Sequence, residues 1–385
     1  MKIKNARIVT MDCTNYESGY IVTENEKIIE IGNMSDYKEN VDEEVIIDAQ
    51  GGLVIPGLID AHCHLGINVE DIGIIGDESN EVGKPIAPYL RVIDAINPCD
   101  VGFEEARAVG VTMAVVCPGS INVIGGQCTA IKTIGNNVED MIIKSPVAIK
   151  AAMGENPIRF YSSKGMEPST RMGIAWLLRK SLNEAKMVIE EGKNGDIENQ
   201  AIMKVIAKNL PLKIHVHRAD DIITAIRIAK EFNIDITLDH CTQGYKVIDE
   251  IKGARIPILL GPLILFRDRE ELNGHSLKNY AELIKSGIEC AIISDHPVVP
   301  ISHLMQQAIE LLQYGISEDK IIELLTIAPA RIIGVDRNYG SISVGKNADI
   351  VVYAKPKLAN NNFVKYTIID GIVVYDKNKN DYIKL

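Results

Sequence analysis

Five of the eight histidines stand at or just past the ends of apolar runs. His62 and His64 lie two residues apart in DAHCHLG, a spacing that puts both imidazoles on one side of an extended strand and would splay them on a helix. His215 and His217 repeat the spacing in KIHVHRADD, His240 ends ITLDHC, and Asp295 ends AIISD just before His296. Imidazole and carboxylate together suit zinc, iron, manganese or nickel better than calcium or magnesium. One histidine at a strand end is ordinarily a hydrogen-bonded core residue. Four strand ends carrying such groups, two of them as H-x-H, point instead to a metal site. His275 and His303 sit in polar loop or helix contexts and are read as ordinary residues.

The elements that must bring residues 62 to 295 together are legible in the pattern. From 53 to about 333, short apolar runs alternate with longer helical periodicities, the signature of repeated strand–helix units on a parallel sheet. Eight runs qualify as strands: LVIPGLIDAHCH, VTMAVVC, CTAIKT, VAIKAAM, LKIHVH, DITLDHC, IPILLG and ECAIISD. Eight strands close a barrel, and in a parallel barrel every strand's C-terminal end opens on the same face. ADDIITAIRIAKEFN has helical spacing, and NYAELIKSG and MQQAIELLQYG each end in a capping glycine. Residues 66–98 lack a sustained period and read as a long loop over the site face. Both termini differ from the middle, with short alternating strands in KIKNARIVTM, SGYIVTENEKIIEIG, NADIVVYA, VKYTIIDG and IVVYDKN.

Composition narrows the function classes. A chain of 385 residues exceeds the roughly 250 of a single barrel, and 46 % hydrophobic with 24 % charged residues describes a folded chain. No apolar run is long enough to span a membrane, and MKIKNARIVT lacks a signal peptide's apolar core, so a cytoplasmic location is expected. A net charge of −11 without a dense Lys/Arg stripe argues against nucleic acid or an anionic membrane as partner. Seven widely spaced cysteines with no CxxC pair exclude a disulfide framework and a zinc ribbon. They read as small buried hydrophobes, with Cys63 and Cys241 set apart by their neighbouring histidines.

The stretch GGLVIPGLIDAHCHLG resembles the amidohydrolase superfamily, whose metal site opens with P-G-x-I-D-x-H-x-H, and LLTIAPARIIGVDRNYGSISVGKNADIVVY is similar to the segment that leads such chains back into a sandwich. The likeness runs from about residue 2 to 375 and is greatest to the imidazolonepropionase-related branch, with its cyclic-amide hydrolases and Xaa-Pro dipeptidases. It implies a (β/α)8 TIM barrel over 53–339, a small β-sandwich formed by the N- and C-terminal segments 1–52 and 340–385, and one or two divalent metal ions, zinc first, with iron, manganese or nickel as others. By position, His62 and His64 would hold the more buried ion, His215 and His240 the more exposed one, and Asp295 would ligate and accept a proton. A lysine ammonium cannot ligate. Lys150 in VAIKAAMG nevertheless resembles the lysine that, carboxylated by CO2, bridges two ions in binuclear relatives; Glu155 in GENP is the alternative. His215 is preferred to His217 because relatives place the ligand first in H-x-[ADEH]. His217 and His296 would then stabilise the oxyanion, hold substrate, or hydrogen-bond to ligands.

The resemblance implies a hydrolase of a carbon–nitrogen bond, using metal-bound hydroxide with Asp295 as proton shuttle. The expected small-molecule substrate is an imidazolone- or lactam-like cyclic amide, or a small amide bearing a carboxylate; an Xaa-Pro dipeptidase is the alternative. Deaminase relatives carry an acid where this chain has Arg218, which disfavours deamination, and a non-catalytic scaffold is disfavoured because each ligand position is filled. Arg218 could fork onto a substrate carboxylate or pair with Asp220 or Asp221; Arg171 and Arg267 are weaker candidates. Asn122 and Gln127, flanking Gly125 and Gly126 after the second strand, are expected on the site face as substrate contacts or an ordinary turn. A homo-oligomer is expected from the superfamily.

Overall fold

The computed structural model describes residues 1–38, 45–70, 72–359 and 361–379. The alternating N-terminal segment forms β1 (Lys2–Ile8), β2 (Tyr16–Glu24), β3 (Lys27–Asn33), β4 (Ile46–Asp48) and β5 (Leu53–Pro56). The middle forms β6 (Leu58–Cys63), β7 (Val111–Val116), β8 (Ile124–Lys132), β9 (Ile142–Ala152), β10 (Leu212–Val216), β11 (Ile236–His240), β12 (Ile258–Leu260) and β13 (Cys290–Ile292). The C-terminal segment forms β14 (Ile350–Tyr353), β15 (Val364–Ile369) and β16 (Ile372–Asp376).

The terminal strands make one sheet in the order β16-β15-β14-β5-β1-β2-β3, with β4 beside β1. It folds back on itself where the β2–β3 hairpin meets the segment entering β14: Ala348 N–H donates to Glu26 O at 2.8 Å and Ile28 N–H to Lys346 O at 3.0 Å. The enclosed core holds Ile3, Ile8, Ile21, Ile28, Val54, Ile350 and Ile368. This is the sandwich. Its boundary differs from the expected one, because Leu53–Pro56 pairs with β14 and β1 rather than heading the first barrel strand. The Pro56-Gly57 break in an otherwise continuous apolar run is where the chain crosses over. A Cβ on Gly57 would lie 2.2 Å from Thr112 Oγ1, so the crossing has room only for glycine.

The eight expected middle strands form one sheet in sequence order from β6 to β13, a (β/α)8 barrel with one departure from parallel. β8 runs antiparallel to both neighbours. The connections at 117–123 and 133–141 are shorter than the dozen or so residues a parallel crossover needs, so the chain turns back twice. Ile124 at the start of β8 therefore pairs with Ala151 at the end of β9, leaving residues 122–127 at the site end of the barrel. The seam between β13 and β6 is closed beyond the strands. Asp295 N–H donates to His62 O (3.2 Å), His64 N–H donates to His296 O (2.8 Å), and buried Asp60 accepts from Ser294.

Helices α1 (Val101–Ala108), α2 (Val138–Met141), α3 (Glu155–Ser163), α4 (Arg171–Glu190), α5 (Ile197–Ile206), α6 (Ala219–Phe232), α7 (Ile248–Ala254), α8 (Leu277–Lys285), α9 (Leu304–Ile309), α10 (Glu318–Leu325) and α11 (Ile327–Ile333) complete the chain. The three predicted helical stretches fall on α6, α8 and α9. α6 buries Ile222, Ala225, Ile226 and Ala229 along one stripe and ends on left-handed Asn233. Residues 66–98 carry two short 3-10 turns, at Gly73–Gly76 and Val92–Asp94, and otherwise loop over the barrel mouth. All seven cysteines are free, and Cys13 and Cys99 are the exposed ones. Among the described residues no helix is long and apolar enough to cross a membrane.

Candidate metal centre

Because strand side chains alternate, His62 points into the barrel from β6, and His64 follows as the strand ends. The Nδ1 of His62 lies 2.6 Å from Asp239 Oδ2. A carboxylate oxygen can only accept, so Nδ1 carries a hydrogen, and in the neutral ring, the form that ligates, Nε2 keeps its lone pair. The same logic holds for His64, whose Nδ1 donates to Cys117 O at 2.8 Å, and for His240, whose Nδ1 donates to Gly261 O at 2.7 Å. The freed Nε2 atoms of His62 and His64 face Asp295 Oδ1 at 3.4 and 3.3 Å. Lone pairs turned toward a carboxylate oxygen repel it unless a cation lies between them.

Two groups of donors result. His62, His64 and Asp295 form one; His215, His217 and His240 form the other, and within each group the ligand atoms lie within 4.8 Å of one another. The groups adjoin, with the His62 and His240 rings 5.4 Å apart and the His215 and His240 rings 4.5 Å apart. His217 Nε2 and His240 Nε2 are buried without a hydrogen-bond partner among the described residues. Such an orphan ordinarily costs about 1–3 kcal/mol, so two of them at one point mark a place for a ligand. The donor set fits a divalent transition metal. His240 and Asp295 also hold positive φ, 74° and 56°. Non-glycine residues in that region commonly mark sites where geometry is imposed by function.

Electrostatics agrees with that donor chemistry. Burial, then the proximity of His240, holds His215 and His217 well below the usual imidazole range, with His217 adding to the effect on His215 and Arg269 to that on His217, and burial pushes His240 down to about 4. All three are neutral near pH 7, the form that ligates. Burial would raise Asp295, but the neighbouring imidazoles, His240 first and then His62 and His64, outweigh it and hold the carboxyl well below its ordinary range.

The remaining expected residues divide. Lys150 is not a surface lysine: its side chain is fully buried, with Nζ 3.2 Å from His62 Nε2 and 3.6 Å from Asp239 Oδ2. Glu155 opens α3 and stands outside both donor groups. The geometry does not favour His215 over His217, since both join His240. His217 Nδ1 is 2.8 Å from Thr242 Oγ1. His296 accepts from Ile301 N–H at Nδ1, and its Nε2 lies 4.0 Å from Glu70.

Arg218 takes the second of its two expected readings: it pairs with Asp220, at 2.9 Å through both Nε and Nη2, and also with Glu270 at 3.3 Å. Asn122 is likewise occupied, its Nδ2 facing Glu81 O, Lys84 O and Tyr161 Oη, which ties down the 66–98 loop. Gln127 pins the same loop through its backbone N–H to Leu90 O at 2.8 Å. Four residues escaped the sequence reading: Asp239, Lys213, Asn156 and Arg269. Asp239 and Lys213 are charged positions in otherwise apolar strands, Lys213 in phase with His215 and His217, and that was their signal. Arg269 lies on the loop after β12, where no periodicity singles it out. Its Nη1 donates to Asn156 Oδ1 at 2.6 Å, and Asn156 Nδ2 lies 3.5 Å from His215 Nε2.

Residues 53–374 match the Amidohydrolase family. The chain belongs to that family. A solved amidohydrolase from Thermotoga maritima MSB8 superimposes with a TM-score of 0.92 at 35 % identity, over 98 % of this chain and all of that one. The imidazolonepropionase of Picrophilus torridus is 26 % identical over 98 % of both chains. Amidohydrolase tasK of Hapsidospora irregularis is 26 % identical over 93 % of this chain, which spans 40 % of that protein's length. As an amidohydrolase, the chain is a hydrolase of carbon–nitrogen bonds.

Proposed function

We propose that this amidohydrolase opens a cyclic amide of the imidazolone or lactam type, or a small amide bearing a carboxylate, with zinc as its metal. The observation that carries the reading is the convergence of His62 Nε2 and His64 Nε2 on Asp295 Oδ1. His62, His64 and Asp295 would hold one ion and His215, His217 and His240 a second, with Lys150, once carboxylated, between them. A divalent ion bound there supplies Lewis acidity to the scissile carbonyl and lowers the pKa of water to about 7.

The chain's own residues do the rest. Asp295, kept as a carboxylate, takes the proton of the attacking water and returns it to the leaving nitrogen. Asn156 and Arg269 approach the donor groups from the loop side, and Arg269 replaces Arg218 as the guanidinium that meets a substrate carboxylate. The cyclic-amide class is supported by the full-length likeness to an imidazolonepropionase. Deamination is disfavoured because Arg218 occupies the position of an acid and is already paired. A substrate panel tests the reading: carboxylate-bearing imidazolones or lactams should be hydrolysed with one product equivalent per ring opened. Turnover of Xaa-Pro dipeptides in their place would move the assignment to a dipeptidase, and ammonia release from nucleobases would overturn it.

A further inference from the structure

Beneath the two donor groups lies a buried charge relay that the hydrolytic step does not use. Lys213 is 3 % exposed and Asp239 and His62 are at most 1 % exposed. Lys213 Nζ donates to Asp239 Oδ1 at 3.2 Å, and Asp239 Oδ2 accepts from His62 Nδ1 at 2.6 Å. Thr237 Oγ1 stands 3.4 Å from Oδ1. Each carboxylate oxygen is therefore assigned, one to the ammonium and one to the imidazole. Lys150 cannot take over from Lys213: it lies on the Oδ2 side, 3.6 Å away, against the Nε2 face of His62.

Register explains the placement. Lys213 and His215 share one row of β10, continued just past its end by His217, and His215 pairs across the ladder with Asp239 on β11. The relay thus crosses from β10 to β11 and reaches His62 on β6 through the barrel interior. A buried lysine–carboxylate pair is not an economical way to fill a core, since apolar side chains of the same volume are commonly as stable or more so. What the pair provides, and an apolar pair could not, is an oxygen fixed against His62 Nδ1.

We propose that Lys213 is a positioning residue that anchors Asp239, which in turn locks His62 in the tautomer and orientation that present Nε2 to the metal. This rests on the metal-centre reading above. Carboxylate partners of ligating histidines tune metal affinity by about 10–100-fold when removed.

The test uses purified full-length chain stripped of metal and titrated with Co2+. Affinity is read by competition with a chromophoric chelator, and ligand geometry by the visible d–d absorption. Lys213→Met should weaken binding about 10–100-fold and alter the band, whereas Lys213→Arg should recover most of both. Asp239→Asn, which keeps the side chain's shape, should give the same loss and serves if Lys213→Met does not fold. In combination with His62→Ala, Lys213→Met should cost nothing further, because its effect passes through that ring. Wild-type affinity and spectrum in both Lys213→Met and Asp239→Asn would overturn the relay alone. Absence of Co2+ binding by the wild type would overturn the metal centre with it.

Discussion

Asp295 carries the heaviest demand of any single group, since one carboxylate is asked both to ligate and to move a proton. Asp295→Asn keeps the shape and removes the base, so kcat should fall by about 10²–10⁴ while the melting temperature stays near that of wild type; steady-state kinetics beside a thermal melt checks this, and retained kcat would remove Asp295 from the chemistry. Arg269→Met should raise KM for carboxylate-bearing substrates with little change in kcat, and should leave their carboxamide analogues unaffected. Equal effects on both would show that the guanidinium does not meet a carboxylate. At this scale the histidines were legible because a period of two on a strand leaves a mark that survives without coordinates. For Arg218 the pairing with Asp220 was among the readings, whereas Glu270, far off along the chain, is a partner that spacing cannot reveal. Lys150 was singled out by resemblance alone, and its burial inside the barrel is what the structure adds.

The elements show what apolar pattern can and cannot decide. All eight middle strands were visible as runs, but their direction is set by connection length, and the short 117–123 and 133–141 links reverse β8. That reversal was available in the spacing between runs, whereas the transfer of β5 to the sandwich was hidden by a single unbroken hydrophobic stretch. Gly57 is the element-scale device that makes the transfer possible. Gly57→Ala would drive a Cβ to 2.2 Å from Thr112 Oγ1, and overpacking of this kind costs about 1–3 kcal/mol. A urea titration should show a lower midpoint with an unchanged slope; an unchanged midpoint would mean that the crossover tolerates a side chain.

At the whole-molecule scale, a buried carboxyl stands where the sandwich meets the crossover into the barrel. Asp349 enters β14 with its carbonyl accepting from Gly57 N–H at 2.8 Å and its Oδ1 from Asp370 N–H at 3.0 Å. Burial pushes this carboxyl up to about 7 from 3.8. The folded form thus prefers the proton: the contribution to stability is complete below the unfolded value near 4 and is lost as pH rises through about 7. Asp349→Asn should accordingly melt higher than wild type at pH 8, by an effect on the order of a few kcal/mol, and the difference should close near pH 4. A gap that persists at low pH would place its origin elsewhere. What the whole molecule accomplishes is to gather side chains from residue 62 to residue 295 at one rim, as donors for a transition metal. The most direct test is elemental analysis of chain purified without chelator, alongside His62→Ala and His240→Ala. One or two equivalents of a zinc-class metal in the wild type, reduced in each variant, is the predicted result; wild-type chain that carries none, and that gains no thermal stability from added Zn2+ or Mn2+, would contradict it.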